Sequence, residues 1–282
     1  MSAAPELSSK NLDLFVPDGS SIEQACKRTT HLCIAAHQDD VEIMAFHGIA
    51  ECYKKPDQWF GAVVVTDGAG SPRAGAFANY SNTQMKLVRK IEQRKAAEIG
   101  KYSFVYQLGY PSTEIKDAKH EQSVNDIAAI IDACQPRVVY LHNLADKHET
   151  HISLALKSII ALRRLPAKRR PKKVYGCEIW RDLDWLADGQ KVALPVDQND
   201  ELTRNLLEVF ESQVSGGKRY DLATIGRRFA NATFSEPRAT DQTKAITWAM
   251  DLTPLMTNDS LTPAVLIKQH VAKFSQDVLK GL

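Results

Sequence analysis

The chain predicts a three-layer α/β fold, a mostly parallel sheet with helices on both faces, and three observations carry that reading. Strand and helix signals alternate from about residue 30 to residue 180. The strand segments are near-continuous apolar runs, such as Val63-Val64-Val65, as expected of strands covered on both sides. Two histidine–aspartate clusters, about a hundred residues apart, each follow such a run directly.

The elements follow in order. The first 28 residues, with Pro5 and Pro17, read as a loosely packed lead-in. Residues 30–36 read as a buried strand. Residues 40–54 read as a helix, because Val41, Met44, Ala45, Ile49 and Cys52 recur at helical spacing. Phe60–Thr66 is a β-branched strand, and 67–72 is a loop by its turn residues. A charged helix spans about Asn82–Ile99, with Gly100 as the residue that ends it. Ser103–Leu108 is a strand, Gln122–Ala133 a helix and Arg137–Leu141 a strand. His151–Leu165 is helical, and Val174–Ile179 is a fifth strand. Beyond Trp180 the pattern loosens: Asp200–Val214 and Pro263–Leu279 read as helices and Ala245–Leu252 as a strand. The expected organisation is one domain over 1–282, Rossmann-like, with a core at about 29–180 and a C-terminal extension, 181–282, packed on it.

Composition narrows the function classes. A chain of 282 residues, 44% hydrophobic and 25% charged, is long enough to bury a large core. A net charge of +2 lacks the basic excess of a nucleic-acid binder. Five cysteines, an odd number without C-x-x-C spacing, suit a reducing compartment. Met1–Ser20 lacks the basic-then-apolar order of a signal peptide, and no run approaches the roughly 20 apolar residues of a membrane span. The expectation is a cytoplasmic protein acting on a small molecule, without nucleic-acid or membrane partners, either monomeric or a homo-oligomer.

The clusters carry the chemistry. They are Ala36-His37-Gln38-Asp39-Asp40 and the run His142 to His151, which includes Asp146 and His148. Ligands of open α/β sheets bind beyond the carboxyl ends of the strands, so the topology brings the two together. His37, Asp40 and His151 can supply the three ligands of a catalytic zinc, or of another divalent ion such as iron. Such an ion makes water a nucleophile near neutral pH, and Asp39 stands ready to take its proton. The competing reading makes the Asp-Asp pair a helix N-cap with a first-turn carboxylate. Joined to a His-x-x-His element at a second strand end, the pair points to a metal site, and one carboxylate can still cap.

Ala-His-Gln-Asp-Asp resembles the Ala-His-Pro-Asp-Asp-Glu signature of the LmbE-like, or PIG-L, family of zinc-dependent de-N-acetylases. The second cluster resembles that family's His-Pro-Asp-His element. Val65-Thr66-Asp67-Gly68 resembles its Thr-x-Gly loop, and Arg89-x-x-Glu92 with Ala96-Ala97 resembles its Arg-x-x-Glu helix. The likeness covers roughly residues 30–180. It implies His37, Asp40 and His151 as metal ligands and Asp39 as general base. It further implies His148 as the imidazolium that stabilises the oxyanion or protonates the amine, with Asp146 orienting it. Arg89 would contact substrate. The implied activity is release of acetate from an N-acetylated amino sugar or conjugate.

Several positions depart from the family pattern. Gln38 stands for proline, Val41 for glutamate, and Glu149-Thr150 for Pro-Asp, while Glu42 would point about 100° further round its helix. These changes bear on substrate choice rather than on metal or base. Arg73, in the 67–73 loop, lies on the side of the site and is a candidate substrate contact. Arg227, Arg228 and Asn231 are candidates to pack over the site, and His142 is either a partner of a ligand or a strand end. Trp180, Trp185 and Trp248 either stack on a sugar or pack in the core. The basic run 163–173 reads as a solvated connection. Rival readings are an amidase for another acylated amine or thiol conjugate, and a non-catalytic carbohydrate- or metal-binding relative. A nucleotide binder is disfavoured, since no G-x-G-x-x-G follows the first strand.

Overall fold

Alternation along the strands buries the sheet on both sides. In the computed structural model, which describes residues 4–282, Leu32, Ile34 and Ala36 join one apolar layer while Cys33 and Ala35 join the other. Val63 and Val65 alternate with Ala62 and Val64 in the same way. The elements are β1 (Asp13–Phe15), α1 (Ile22–Arg28), β2 (His31–Ala35), α2 (Asp40–Met44), α3 (Phe46–Cys52), β3 (Phe60–Thr66) and α4 (Asn82–Gly100). Next come β4 (Phe104–Tyr110), α5 (Ser112–Lys116), α6 (Glu121–Cys134), β5 (Val138–His142), α7 (Glu149–Arg164) and β6 (Lys173–Cys177). The rest are β7 (Lys191–Pro195), α8 (Asp200–Glu208), α9 (Glu211–Val214), α10 (Tyr220–Thr233), β8 (Ile246–Asp251), α11 (Pro254–Thr257) and α12 (Pro263–Leu279).

One sheet holds all eight strands, in the order β1-β4-β3-β2-β5-β6-β8-β7. Its five central strands, β4 to β6 in that order, are parallel, and β1, β8 and β7 add antiparallel. The chain reverses its direction of travel across the sheet between β2 and β5, the position where open α/β sheets form a ligand crevice.

The first three residues of the expected lead-in lie outside the described ones, and residues 4–28 do not form a loose one. They supply edge strand β1 on β4 and helix α1. Polar bonds anchor the segment: the Asp126 carboxylate accepts from Ser8 N at 2.8 Å, Ser8 Oγ at 2.9 Å, Ser9 N at 3.1 Å and Tyr110 Oη at 2.6 Å. Side-chain anchors of this kind leave no apolar period in the sequence. Gly100 is the last residue of α4, and Lys101 takes the left-handed cap position at φ 54°. Glycine serves packing there, because a Cβ at 100 would run into the Tyr102 ring.

The expected helix over 40–54 breaks at Ala45 into α2 and α3, and that over 200–214 breaks into α8 and α9. Strand β7 and helix α10 were not expected, although α10 repeats Leu222, Ile225 and Phe229 at helical spacing. The basic run is a clasp rather than a solvated connection. Arg163 and Arg170 donate to the backbone carbonyls of Leu255, Met256, Asn258 and Leu261, and Arg170 meets Asp259 at 2.6 Å. All five cysteines are free and buried. Among the described residues, no helix is long and apolar enough to cross a membrane.

Glu178 ties the extension to the core. Its buried carboxylate accepts from Trp248 N at 2.9 Å, Leu183 N at 3.3 Å and Asn231 Nδ2 at 2.5 Å. Burial outweighs these bonds and pushes its pKa up to about 6 from an ordinary 4.5. A raised carboxylate favours folding while protonated, so that stabilisation is complete below about pH 4.5 and fades as pH rises through about 6. Roughly 2 kcal/mol is at stake. In Glu178→Gln, denaturant titrations across that window should lose this part of the pH slope; an unchanged slope would refute the assignment.

Candidate active site

The site forms where β2, β3 and β5 end. Thr66 clamps two of these ends, donating from N at 2.9 Å and from Oγ1 at 2.7 Å to the Ala36 carbonyl. Gly68 follows at φ +71°, and a Cβ there would stand 2.6 Å from Gln38 Oε1 and 3.1 Å from Arg89 Cβ. Both the conformation and the close approach require glycine.

Asp39 occupies the N-cap position of α2, yet its carboxylate makes no capping bond. Its backbone lies at φ 84°, a conformation costing of order 1–3 kcal/mol for a non-glycine residue. The capping reading fails here, and the strain turns Asp39 into the cleft. Asp40 turns the other way, taking the His37 N–H on Oδ2 at 2.7 Å.

His37 Nδ1, Asp40 Oδ2 and His151 Nε2 form a nearly equilateral triangle, with sides of 3.1, 3.2 and 3.3 Å. Donors about 2.0–2.2 Å from a tetrahedral zinc stand roughly 3.3–3.5 Å apart, so the three fit one ion. His142 and His148 also lie within reach of such a cluster, but their lone pairs are engaged. His142 Nε2 accepts the Ala36 N–H at 2.9 Å, and its ring stacks on His151 at 3.9 Å. His148 Nδ1 accepts the Thr150 N–H at 3.3 Å, which leaves the proton on Nε2.

Asp146 holds His151, not His148. Its Oδ2 stands 3.0 Å from His151 Nδ1, and its Oδ1 accepts the N–H groups of Lys147 and Arg181. A carboxylate there fixes the tautomer that presents the Nε2 lone pair. Asp146→Ala is expected to weaken metal binding by about 10–100-fold, read by competition with a chelator; wild-type affinity would count against this support.

Electrostatics divide the two neighbouring aspartates. Burial pushes Asp39 up to about 6, against the pull of Arg89. Burial would also raise Asp40, but the imidazoles of His151 and His37 hold it well below the carboxylate range. Burial, with the neighbouring His151 and His37, pushes His148 down to about 4.

Arg89 is buried beneath Asp39. Its guanidinium stands 3.3 Å from Asp39 Oδ2 and 3.6 Å from Glu92 Oε2, and it donates to the Gln38 carbonyl and to Ser212 Oγ. Ser212, on α9 of the extension, returns two bonds to Glu92, from N at 2.8 Å and from Oγ at 2.7 Å. Arg89 thus holds Asp39, although it borders the cleft. Arg73 donates to Ala69 O and Asn82 Oδ1 and ties its own loop. Arg228 donates to the Glu42 and Ile43 carbonyls, Arg227 to Ile179 and Asn231 to Glu178. These three pack the extension rather than reaching the metal triangle. Glu42 bonds Gln93 and Tyr102 inside the protein. Trp248 is buried, Trp185 packs beside Phe274, and Trp180 alone of the three candidates lines the cleft.

The cleft holds about 340 Å³ and is lined by His37, Asp39, Asp40, Arg89 and His148 on the core side. Ser112 and Lys116 of α5 add to it, with Gln213, Lys218 and Tyr220 from the extension. Sequence reasoning missed these last residues. They lie outside both clusters, and no motif marks them.

A family model described as PIG-L, GlcNAc-PI de-N-acetylase, matches residues 32–161. No curated protein matches the chain. Among solved structures, N,N'-diacetylchitobiose deacetylase from Pyrococcus horikoshii is similar with a TM-score of 0.61 at 15% identity, over 82% of this chain and 86% of that one. A deacetylase of teicoplanin biosynthesis aligns with a TM-score of 0.52 at 14% identity, over 79% and 97%. GalB, the 4-carboxy-2-hydroxymuconate hydratase from Pseudomonas putida KT2440, aligns with a TM-score of 0.56 at 16% identity, over 80% and 96%. At these identities the likeness establishes the fold. A hydratase among deacetylases shows that the fold by itself does not select the reaction.

Proposed function

We propose, from the match of residues 32–161 to the PIG-L family model, that this chain is a zinc-type de-N-acetylase acting on an N-acetylated amino sugar or sugar conjugate. The observation that carries this reading is the His37–Asp40–His151 donor triangle with a further carboxylate, Asp39, beside it in the cleft. The three residues would hold the ion. When bound, a divalent metal supplies Lewis acidity toward an acyl carbonyl and acidifies water.

The side chains divide the remaining work. Asp39, held by Arg89, accepts a proton from the attacking water. His148 Nε2–H donates a hydrogen bond where negative charge develops on the acyl oxygen. Departure of the amine needs one proton at nitrogen, and Asp39 carries one after the first step. The products are a carboxylate and a free amine.

Metal removal tests the reading. Chelator-treated protein should release no amine from a panel of N-acylated amines, and zinc or iron(II) should restore release. The panel also separates acetyl from larger acyl groups and sugars from thiol conjugates. Undiminished amine release by metal-free protein would overturn the proposal.

A further inference from the structure

The carboxylates that line the cleft are spent, and two of its cations are not. Asp40 belongs to the donor triangle, and Asp39 faces Arg89. Glu92 behind them is taken up by Ser212 and Arg89. Lys116 and Lys218 also line the cleft, one from α5 and one from the segment before α10. Lys116 stands 3.8 Å from Glu149, whose side chain is 83% exposed, and so loose a surface pair is worth little. Lys218 makes no ion pair among the described residues, since its neighbour Arg219 takes Asp221. Its ammonium sits 5.2 Å from the Trp180 ring centre.

Trp180 places that cation in relation to the chemistry. Its ring lies 6.4 Å from the His148 ring and meets Tyr220 edge-on at 6.1 Å. An aromatic wall therefore runs from the hydrogen-bond donor His148 to the uncommitted Lys218. The cleft volume is near the small end for ligand pockets, which suits one sugar-sized ring and a short substituent. Arg89 is matched by Asp39 and Glu92, which leaves Lys116 and Lys218 as the cleft's cations able to meet an anion. An anionic group here would accept charge-assisted hydrogen bonds from both ammonium groups, stronger than those that a neutral hydroxyl accepts.

Resting on the hydrolase reading above, we propose that the substrate is an acylated amine whose amine-bearing part carries an anionic group. Lys116 and Lys218 hold the phosphate or carboxylate, and Trp180 receives the apolar ring face. Residues 116 and 218 thereby set specificity, outside the histidine–aspartate clusters.

Equilibrium binding reads this without turnover. Calorimetry on the metal-loaded protein would compare glucosamine, glucosamine 6-phosphate and muramic acid, a neutral amine and its phosphate- and carboxylate-bearing counterparts. At low salt at least one anionic amine should bind on the order of tenfold more tightly than glucosamine, with the preference shrinking as salt rises. Which anion wins identifies the group. The Lys116→Met/Lys218→Met double variant should bring the ratio toward one, and each single variant part of the way. Equal or tighter binding of glucosamine, no binding by either anion, or a ratio unchanged in the double variant would overturn the inference. Release of amine from the N-acetylated forms is measured separately. Anion preference without amine release would sink the hydrolase reading alone, and amine release without preference would sink this one.

Discussion

Asp39→Asn is expected to lower amine release by about 10²–10⁴-fold while the protein keeps its metal. The substitution preserves size, and its Oδ1 can still face Arg89, now 3.3 Å from the carboxylate. What it removes is the ability to take a proton. None of the three donors in the triangle is touched, so metal content by elemental analysis should match the wild type. A metal-loaded Asp39→Asn variant within tenfold of wild-type turnover would rule Asp39 out as the base. Alanine is the poorer choice, because it also leaves the buried guanidinium without its partner.

The second large effect is on stability. Arg89 is the cation between two buried carboxylates, Asp39 and Glu92. Arg89→Met keeps much of the volume and strands both acids, which should cost about 3–5 kcal/mol. Lysine should rescue little. A single ammonium cannot reproduce the fork that meets Asp39, Glu92, the Gln38 carbonyl and Ser212 together. Adding Glu92→Gln to Arg89→Met should recover part of the loss, because one stranded charge disappears. Denaturant unfolding measures all three, and a loss below about 1 kcal/mol for Arg89→Met would show that the pair carries no such burden.

The convergence of His37, Asp40 and His151 was legible in the sequence for a physical reason. His37 and Asp40 sit within four residues of each other at one strand end, and His151 opens the helix after another. Parallel strands then bring those ends together. The central strands were legible because burial on both faces demands unbroken apolar runs. Edge strand β1 was hidden because it is only three residues long and the segment before it is held to Asp126 by polar bonds. Partnerships were harder to read than positions. Asp146 lies two residues from His148 and five from His151, and only the turn into α7 decides between them. Arg89 could be placed in the site but not given its partner, because Ser212 lies 120 residues from Glu92. Lys218 and Tyr220 carry no motif, so only folding shows that they reach the cleft.

The matched family segment ends at residue 161, inside α7, and that boundary does not coincide with a working unit. A chain cut there would leave β5 as a raw sheet edge, since β6 and the two strands beyond it would be gone. Such an edge invites intermolecular pairing. The same cut would remove Ser212 from beneath the base and Trp180, Lys218 and Tyr220 from the cleft wall. The smallest fragment able to work is therefore set by the sheet's closure and by one serine, and any expression boundary should fall after β8.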